Sequence, residues 1–119
     1  MTTLDIVKDK LSFLIKDYHF SFRFKNTSGN HYIFENMSGY IEFYEWEQFG
    51  EFGIYVKYDK IFKEIKLIEH YPKIFGKFKE SHKGLKWIFK DTRFDFWEMI
   101  SEIVRSEIDN KNNVFGLKI

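Results

Sequence analysis

The sequence predicts an α+β domain: an antiparallel β-meander of four to five strands, with N- and C-terminal helices packed on one face. Three observations carry this reading. Apolar residues recur at helical spacing near both ends of the chain, a period of two replaces it between them, and the turn-forming residues in that middle stretch are too closely spaced to admit parallel crossovers. Helices at the ends and strands between them are most economically packed as one twisted sheet with the helices on one side.

Leu4, Val7, Leu11, Leu14, Ile15 and Tyr18 fall on one helical face, and Thr2 or Thr3 with Asp5 nearby offers an N-terminal cap, so residues 3–17 are expected as an amphipathic helix. The period then switches to two. Phe20, Phe22 and Phe24 alternate with Ser21, Arg23 and Lys25, the pattern of a strand with one buried face. Asn26 to Asn30 is a cluster of turn formers, which returns His31 to Asn36 antiparallel to the first strand. Ser38-Gly39 marks the next turn and Gly50 the one after, leaving Tyr40 to Trp46 and Phe52 to Tyr58 as further strands rich in β-favouring aromatics.

Lys60 to Tyr71 fits either a helix or a strand. Ile61, Ile65, Ile68 and Tyr71 follow helical spacing, and helix is the expectation. Pro72, Gly76 and Gly84 punctuate a basic connection, after which Leu85, Trp87 and Phe89 alternate as a fifth strand. The C-terminal helix is clearer: Asp91 or Thr92 caps it, Asp95 lies in its first turn, and Phe96, Trp97, Ile100, Ile103, Val104 and Ile108 form one apolar stripe. Asp109 to Asn113 ends it, and Val114 to Ile119 is a tail or edge strand.

A chain of 119 residues fits one domain, residues 1–119. Its 15 Phe, 7 Tyr and 3 Trp make aromatic rings the main material of the core and of any adhesive surface. No Cys is present, which excludes disulfides and thiol chemistry and suits a reducing compartment. The first residues do not resemble a secretory signal and no run of 18 apolar residues occurs, so a cytoplasmic location is expected. The absence of Ala beside abundant Lys, Ile, Phe, Asn and Tyr is a bias that AT-rich codons produce, pointing to a low-GC bacterium or one of its phages.

Charge is segregated. Residues 1–59 carry six basic against nine acidic side chains, residues 60–90 nine against three, and residues 91–119 four against six, so a formal net charge of +1 hides a dipolar field.

Nothing in the sequence forms a catalytic constellation. His19, His31, His70 and His82 are scattered, without the spacing that sets two imidazoles around a metal on one helix face, and Glu69, His70, Glu80 and His82 are explained as polar residues flanking a loop. No phosphate loop, nucleophile elbow or dinucleotide fingerprint occurs, so no cofactor, no metal and no enzymatic activity are expected.

Two segments suggest binding. Glu35 to Glu51 holds five Glu and no Lys or Arg, yet also Tyr40, Phe43, Tyr44, Trp46 and Phe49. Rings in Tyr40 to Trp46 occupy both strand faces, and a two-layer fold buries only one face fully. Tyr40, Glu42, Tyr44, Glu45, Trp46, Glu47 and Glu51 are therefore the expected docking residues for a basic protein partner, rings anchoring and carboxylates steering. In the alternative, the lysine-rich stretch from 60 to 90, with Lys73, Lys77 and Lys79 interleaved among rings, grips single-stranded nucleic acid. The lack of Arg there and the near-neutral charge speak against it. A flat aromatic edge strand also invites pairing into a homodimer.

An N-terminal helix (Leu4 to Tyr18), an aromatic meander opening at Phe20 to Phe24 and bearing an acidic stretch (Glu35 to Glu51), and a C-terminal helix (Phe96 to Ile108) together resemble the layout of small bacterial immunity proteins that block a cognate toxin. Phage inhibitors of host defence share that size and composition. The resemblance implies a non-enzymatic inhibitor acting by steric and electrostatic occlusion, and it transfers no functional residue.

Overall fold

A computed structural model describes residues 2–46, 51–82 and 90–109 of the chain. Helices α1 (Thr3–Lys10) and α2 (Ser12–Lys16) precede five strands, β1 (Ser21–Asn26), β2 (Asn30–Asn36), β3 (Gly39–Trp46), β4 (Glu51–Tyr58) and β5 (Ile61–Ile65); α3 (Leu67–His70), α4 (Pro72–Ser81) and α5 (Lys90–Asp109) follow. The strands form one antiparallel sheet in the order β1-β2-β3-β4-β5, so every neighbour in space is a neighbour in sequence. The α+β meander is thereby shown.

The helical N-terminus starts at a capping box: the Asp5 amide donates to Thr2 Oγ1 and the Thr2 amide to Asp5 Oδ2, at 3.2 and 3.0 Å. These bonds hold the Asp5 carboxyl below its usual range. The expected single helix over 3–17 is broken at Leu11, where φ and ψ reach −106° and 13°. Ser12 supplies the reason. Its hydroxyl donates to the Asp9 carbonyl at 2.9 Å, a local bond that competes with the helical ladder.

Alternation in the sheet splits its side chains between two faces, with Ile33 a buried residue on the face away from the helices. Tyr32, Phe34, Ile41, Phe43, Ile54, Val56 and Tyr58 face the helices and are buried, together with Ile6, Val7, Leu11 and Leu14 from the N-terminal helices and Phe96, Ile100, Ile103 and Val104 from α5. Trp97 is the hub. It meets Tyr32, Phe43, Phe52 and Phe96 edge-on at centroid distances of 5.6 to 5.8 Å, the arrangement the ring quadrupoles favour. Deleting so central a ring removes about 3–5 kcal/mol.

Five expectations change. Lys60 to Tyr71 is a strand and a short helix rather than one helix, because Asp59 and Lys60 adopt left-handed φ of 52° and 68° and turn the chain straight back along β4. Ile61 and Ile68, read at helical spacing with Ile65, lie exposed while Ile65 is buried. The stretch after Pro72 is a ten-residue helix with Pro at its first turn, where a missing amide costs nothing. Burial along the Phe20, Phe22, Phe24 series fades from buried to half-buried to 37% exposed, since β1 is an edge strand that leaves the helical layer. Finally, α5 begins at Lys90, so Thr92 is a buried residue inside it and not its cap.

The strand expected at Leu85, Trp87 and Phe89 and the tail from Val114 lie outside the described residues. No helix among the described residues is long and apolar enough to cross a membrane.

Candidate functional site

The sheet face turned away from the helices is the surface on which the expected docking residues gather. In β3, Ile41, Phe43 and Glu45 point to the core and are fully buried, while Tyr40, Glu42, Tyr44 and Trp46 point outward and are half-buried. The register sets their neighbours. Tyr40 lies between Glu35 and Lys57, Glu42 between Ile33 and Tyr55, Tyr44 between His31 and Gly53, and Trp46 beside Glu51. On the far side of β4, Phe62 follows Lys57 and Glu64 follows Tyr55.

Contacts among these side chains knit the face together. The His31 ring lies against Tyr44 with centroids 4.9 Å apart, while its Nδ1 is 3.6 Å from Glu42 and its Nε2 3.0 Å from the Thr27 carbonyl. The Tyr44 hydroxyl donates to Glu51 at 3.5 Å, and Tyr55 stacks on Phe62 at 5.9 Å with the planes 16° apart. Two glycines make room for the rings. A side chain at Gly53 would begin 2.8 Å from the Tyr55 ring, and one at Gly29, itself at φ +106° in the β1–β2 loop, would begin 2.7 Å from that of Tyr44.

The electrostatics centre on Tyr55. Partial burial raises its phenol's pKa first, and the carboxylates of Glu64, Glu42 and Glu51 raise it further. Burial and then Glu51 do the same to Tyr44. Three carboxylates from three strands thus flank two flat phenols. Such a surface can receive a guanidinium or ammonium group by charge-assisted hydrogen bonds and by contact with ring faces. The acidity is more local than the segment 35–51 suggested, because pairing brings Arg23, Lys25 and Lys57 onto the same face and Arg23 sits 3.5 Å from Glu35.

Five of the seven expected residues, Tyr40, Glu42, Tyr44, Trp46 and Glu51, share this face. Glu45 does not, which corrects the expectation: it is in phase with Ile41 and Phe43, and its carboxylate accepts the Tyr32 hydroxyl at 2.6 Å inside the core. Glu47 lies outside the described residues. Tyr55, Phe62, Glu64 and His31 were missed. The out-of-phase position of Tyr55 between Ile54 and Val56 was a usable signal, whereas Phe62 and Glu64 were hidden by the helical reading of their segment.

Elsewhere, Lys73, Lys77 and Lys79 are exposed on α4, but Phe75 and Phe78 beside them pack against the core. His70 binds the carbonyl of Lys66 one turn back, and His82 links the Phe78 carbonyl of α4 to Asp95 of α5, so both serve the fold. Among the described residues no three metal-ligating side chains converge. A shallow depression of about 390 Å³ between His19, Ser21, Glu35, Asn36 and Met37 is open and lined by side chains that are half-buried or exposed.

No family model, curated protein or solved structure matches the chain, so the reading of this face rests on its own chemistry.

Proposed function

We propose that the chain is a non-enzymatic protein-binding module of the immunity or inhibitor kind, which occludes a basic partner with the sheet face away from the helices, built on Tyr40, Glu42, Tyr44, Trp46 and Glu51. One observation carries the reading: these rings stay half-exposed on the side opposite the helices, next to carboxylates that flank Tyr55 and Tyr44. Aromatic anchors beside unlike charge are what a protein interface uses for affinity and orientation. Tyr55, Phe62 and Glu64 extend the anchor set beyond the residues read from sequence. The Cys-free composition fits work in a reducing cytoplasm.

The test is capture from cells of the source organism on the immobilised chain. A basic protein is expected to be retained, to associate more slowly as salt rises, and to be lost from a Tyr44→Ala plus Trp46→Ala variant. Retention that the double variant shares, or that salt leaves unchanged, overturns the proposal.

The lysine face of α4 supports a second reading, single-stranded nucleic-acid binding by Lys73, Lys77 and Lys79, all three exposed. The inward turn of Phe75 and Phe78 removes the stacking platform such a site relies on, which ranks it second. A labelled oligonucleotide that the wild type fails to shift at low salt ends it.

A further inference from the structure

The edge of the sheet at β5 carries a pattern that is complementary to itself. β5 is last in the strand order, and among the described residues no strand pairs with its far side. The two-residue turn at Asp59 and Lys60 makes Tyr58 and Ile61 the first hydrogen-bonded pair of the β4–β5 hairpin. Alternation from that pair turns the backbone N–H and C=O of Phe62 and Glu64 away from β4, ready for another strand. Ile61 and Phe62 are 68% and 59% exposed, a large apolar display for so short an edge.

Phe62 and Glu64 share one face of β5, and Lys60, in the turn just before the strand, precedes them at the same two-residue spacing. We propose that two copies of the chain pair through β5, antiparallel, about a two-fold axis normal to the sheet at Phe62. Each Phe62 then faces its equivalent, and Lys60 of each copy faces Glu64 of the other, twice by symmetry. Registers shifted toward the C-terminal end of β5 are worse. An axis at Lys63 sets Lys63 against itself and Lys60 against Lys66; an axis at Glu64 sets carboxylate against carboxylate. Charge therefore favours the axis at Phe62 over both of these. At the other end of the sheet, β1 carries Arg23 and Lys25 and no acid, so it offers itself no complement. The paired sheets would form one ten-stranded surface, and the contact, being five residues long, is small against the roughly 1,200 Å² of a stable interface, so the dimer dissociates on dilution.

Sedimentation of the full chain from about 1 µM to about 1 mM tests this. The wild type is expected to pass from monomer to dimer. Glu64→Lys alone and Lys60→Glu alone each weaken dimerisation about tenfold by replacing attraction with repulsion at two symmetric positions, and the double exchange restores it. Circular dichroism checks that each variant folds. A wild type that stays monomeric throughout, or a double exchange no better than the single ones, overturns the proposal. Phe62 and Glu64 belong to both surfaces, so the docking anchors on β3 separate the two readings: Tyr44→Ala plus Trp46→Ala dimerises like the wild type, and dimerisation lost in that variant also overturns the β5 register.

Discussion

The Tyr32 hydroxyl donates a 2.6 Å hydrogen bond to the carboxylate of Glu45, and both side chains are enclosed between the sheet and α5. Asn30 approaches the same carboxylate oxygen at 3.4 Å, and the Tyr32 ring leans edge-on against Trp97. An acidic side chain in an aromatic core is tolerated only when such donors replace water, and removing one exposes the cost of burying the other.

Tyr32→Phe keeps the ring and deletes only that donor. It is expected to lower stability by about 1–3 kcal/mol, the cost of leaving a buried hydrogen-bonding group without its partner. Glu45→Gln, which keeps a carbonyl acceptor, is expected to cost less than Glu45→Ala. Urea unfolding with an unchanged m-value measures all three, and a Tyr32→Phe midpoint equal to the wild type contradicts the account.

The two faces of β3 make opposite predictions from adjacent residues. Phe43→Ala opens a cavity beside Trp97 and is expected to cost about 3–5 kcal/mol. Glu42→Lys, one residue away and half-exposed, is expected to stay within about 0.5 kcal/mol while weakening capture of a basic partner. Thermal melts and the capture assay, run on the same two variants, separate fold from docking.

How much of this was legible follows from the same strand. Tyr40 to Trp46 is long enough to show a period of two, and that period already put Glu45 in phase with Ile41 and Phe43. Grouping the glutamates by charge instead of by phase placed it on the surface. β5 was not legible in the same way: five residues are too few to display a period, and Ile61, Ile65 and Ile68 happen also to satisfy helical spacing. What decides for a strand is the pairing with β4 through two left-handed residues, neither of them Gly or Asn, so Asp59 alone carried a turn signal, and a weak one. The Glu42, Glu51 and Glu64 grouping around Tyr55 is a product of register across three strands, a long-range relation that no local pattern encodes.

Gly53→Ala probes that grouping without touching a charge. The new methyl would start 2.8 Å from the Tyr55 ring, whose far end can swing aside, so the fold is expected to persist while the phenol leaves its carboxylates. Phe62 loses its stacking partner at the same time. Weakened partner capture with a near-native far-ultraviolet spectrum is the expected result; capture at wild-type strength removes Tyr55 from the docking surface.

His82 gives the chain a pH dependence whose sign can be worked out. Its two ring nitrogens lie 2.9 Å from acceptors, Asp95 on α5 and the Phe78 carbonyl on α4, and only the imidazolium can donate to both. The bond to Asp95 is the main cause that raises its pKa, with the Phe78 carbonyl second and burial opposing. A raised folded pKa stabilises the fold fully below the unfolded value of about 6.5, and the contribution disappears as pH climbs through the higher folded value. His82→Gln should therefore melt below the wild type at about pH 5.5, and the two should converge on the alkaline side of neutrality. Asp95→Asn should narrow the same gap at acidic pH and leave the alkaline melts alike. Because α4 has no fully buried residue and rests on Ile74, Phe75 and Phe78, amide exchange is expected to quicken in α4 before it does in α5 as pH rises. Exchange in α4 that is equally protected on both sides of that window shows that the His82 bridge does not hold the helix down.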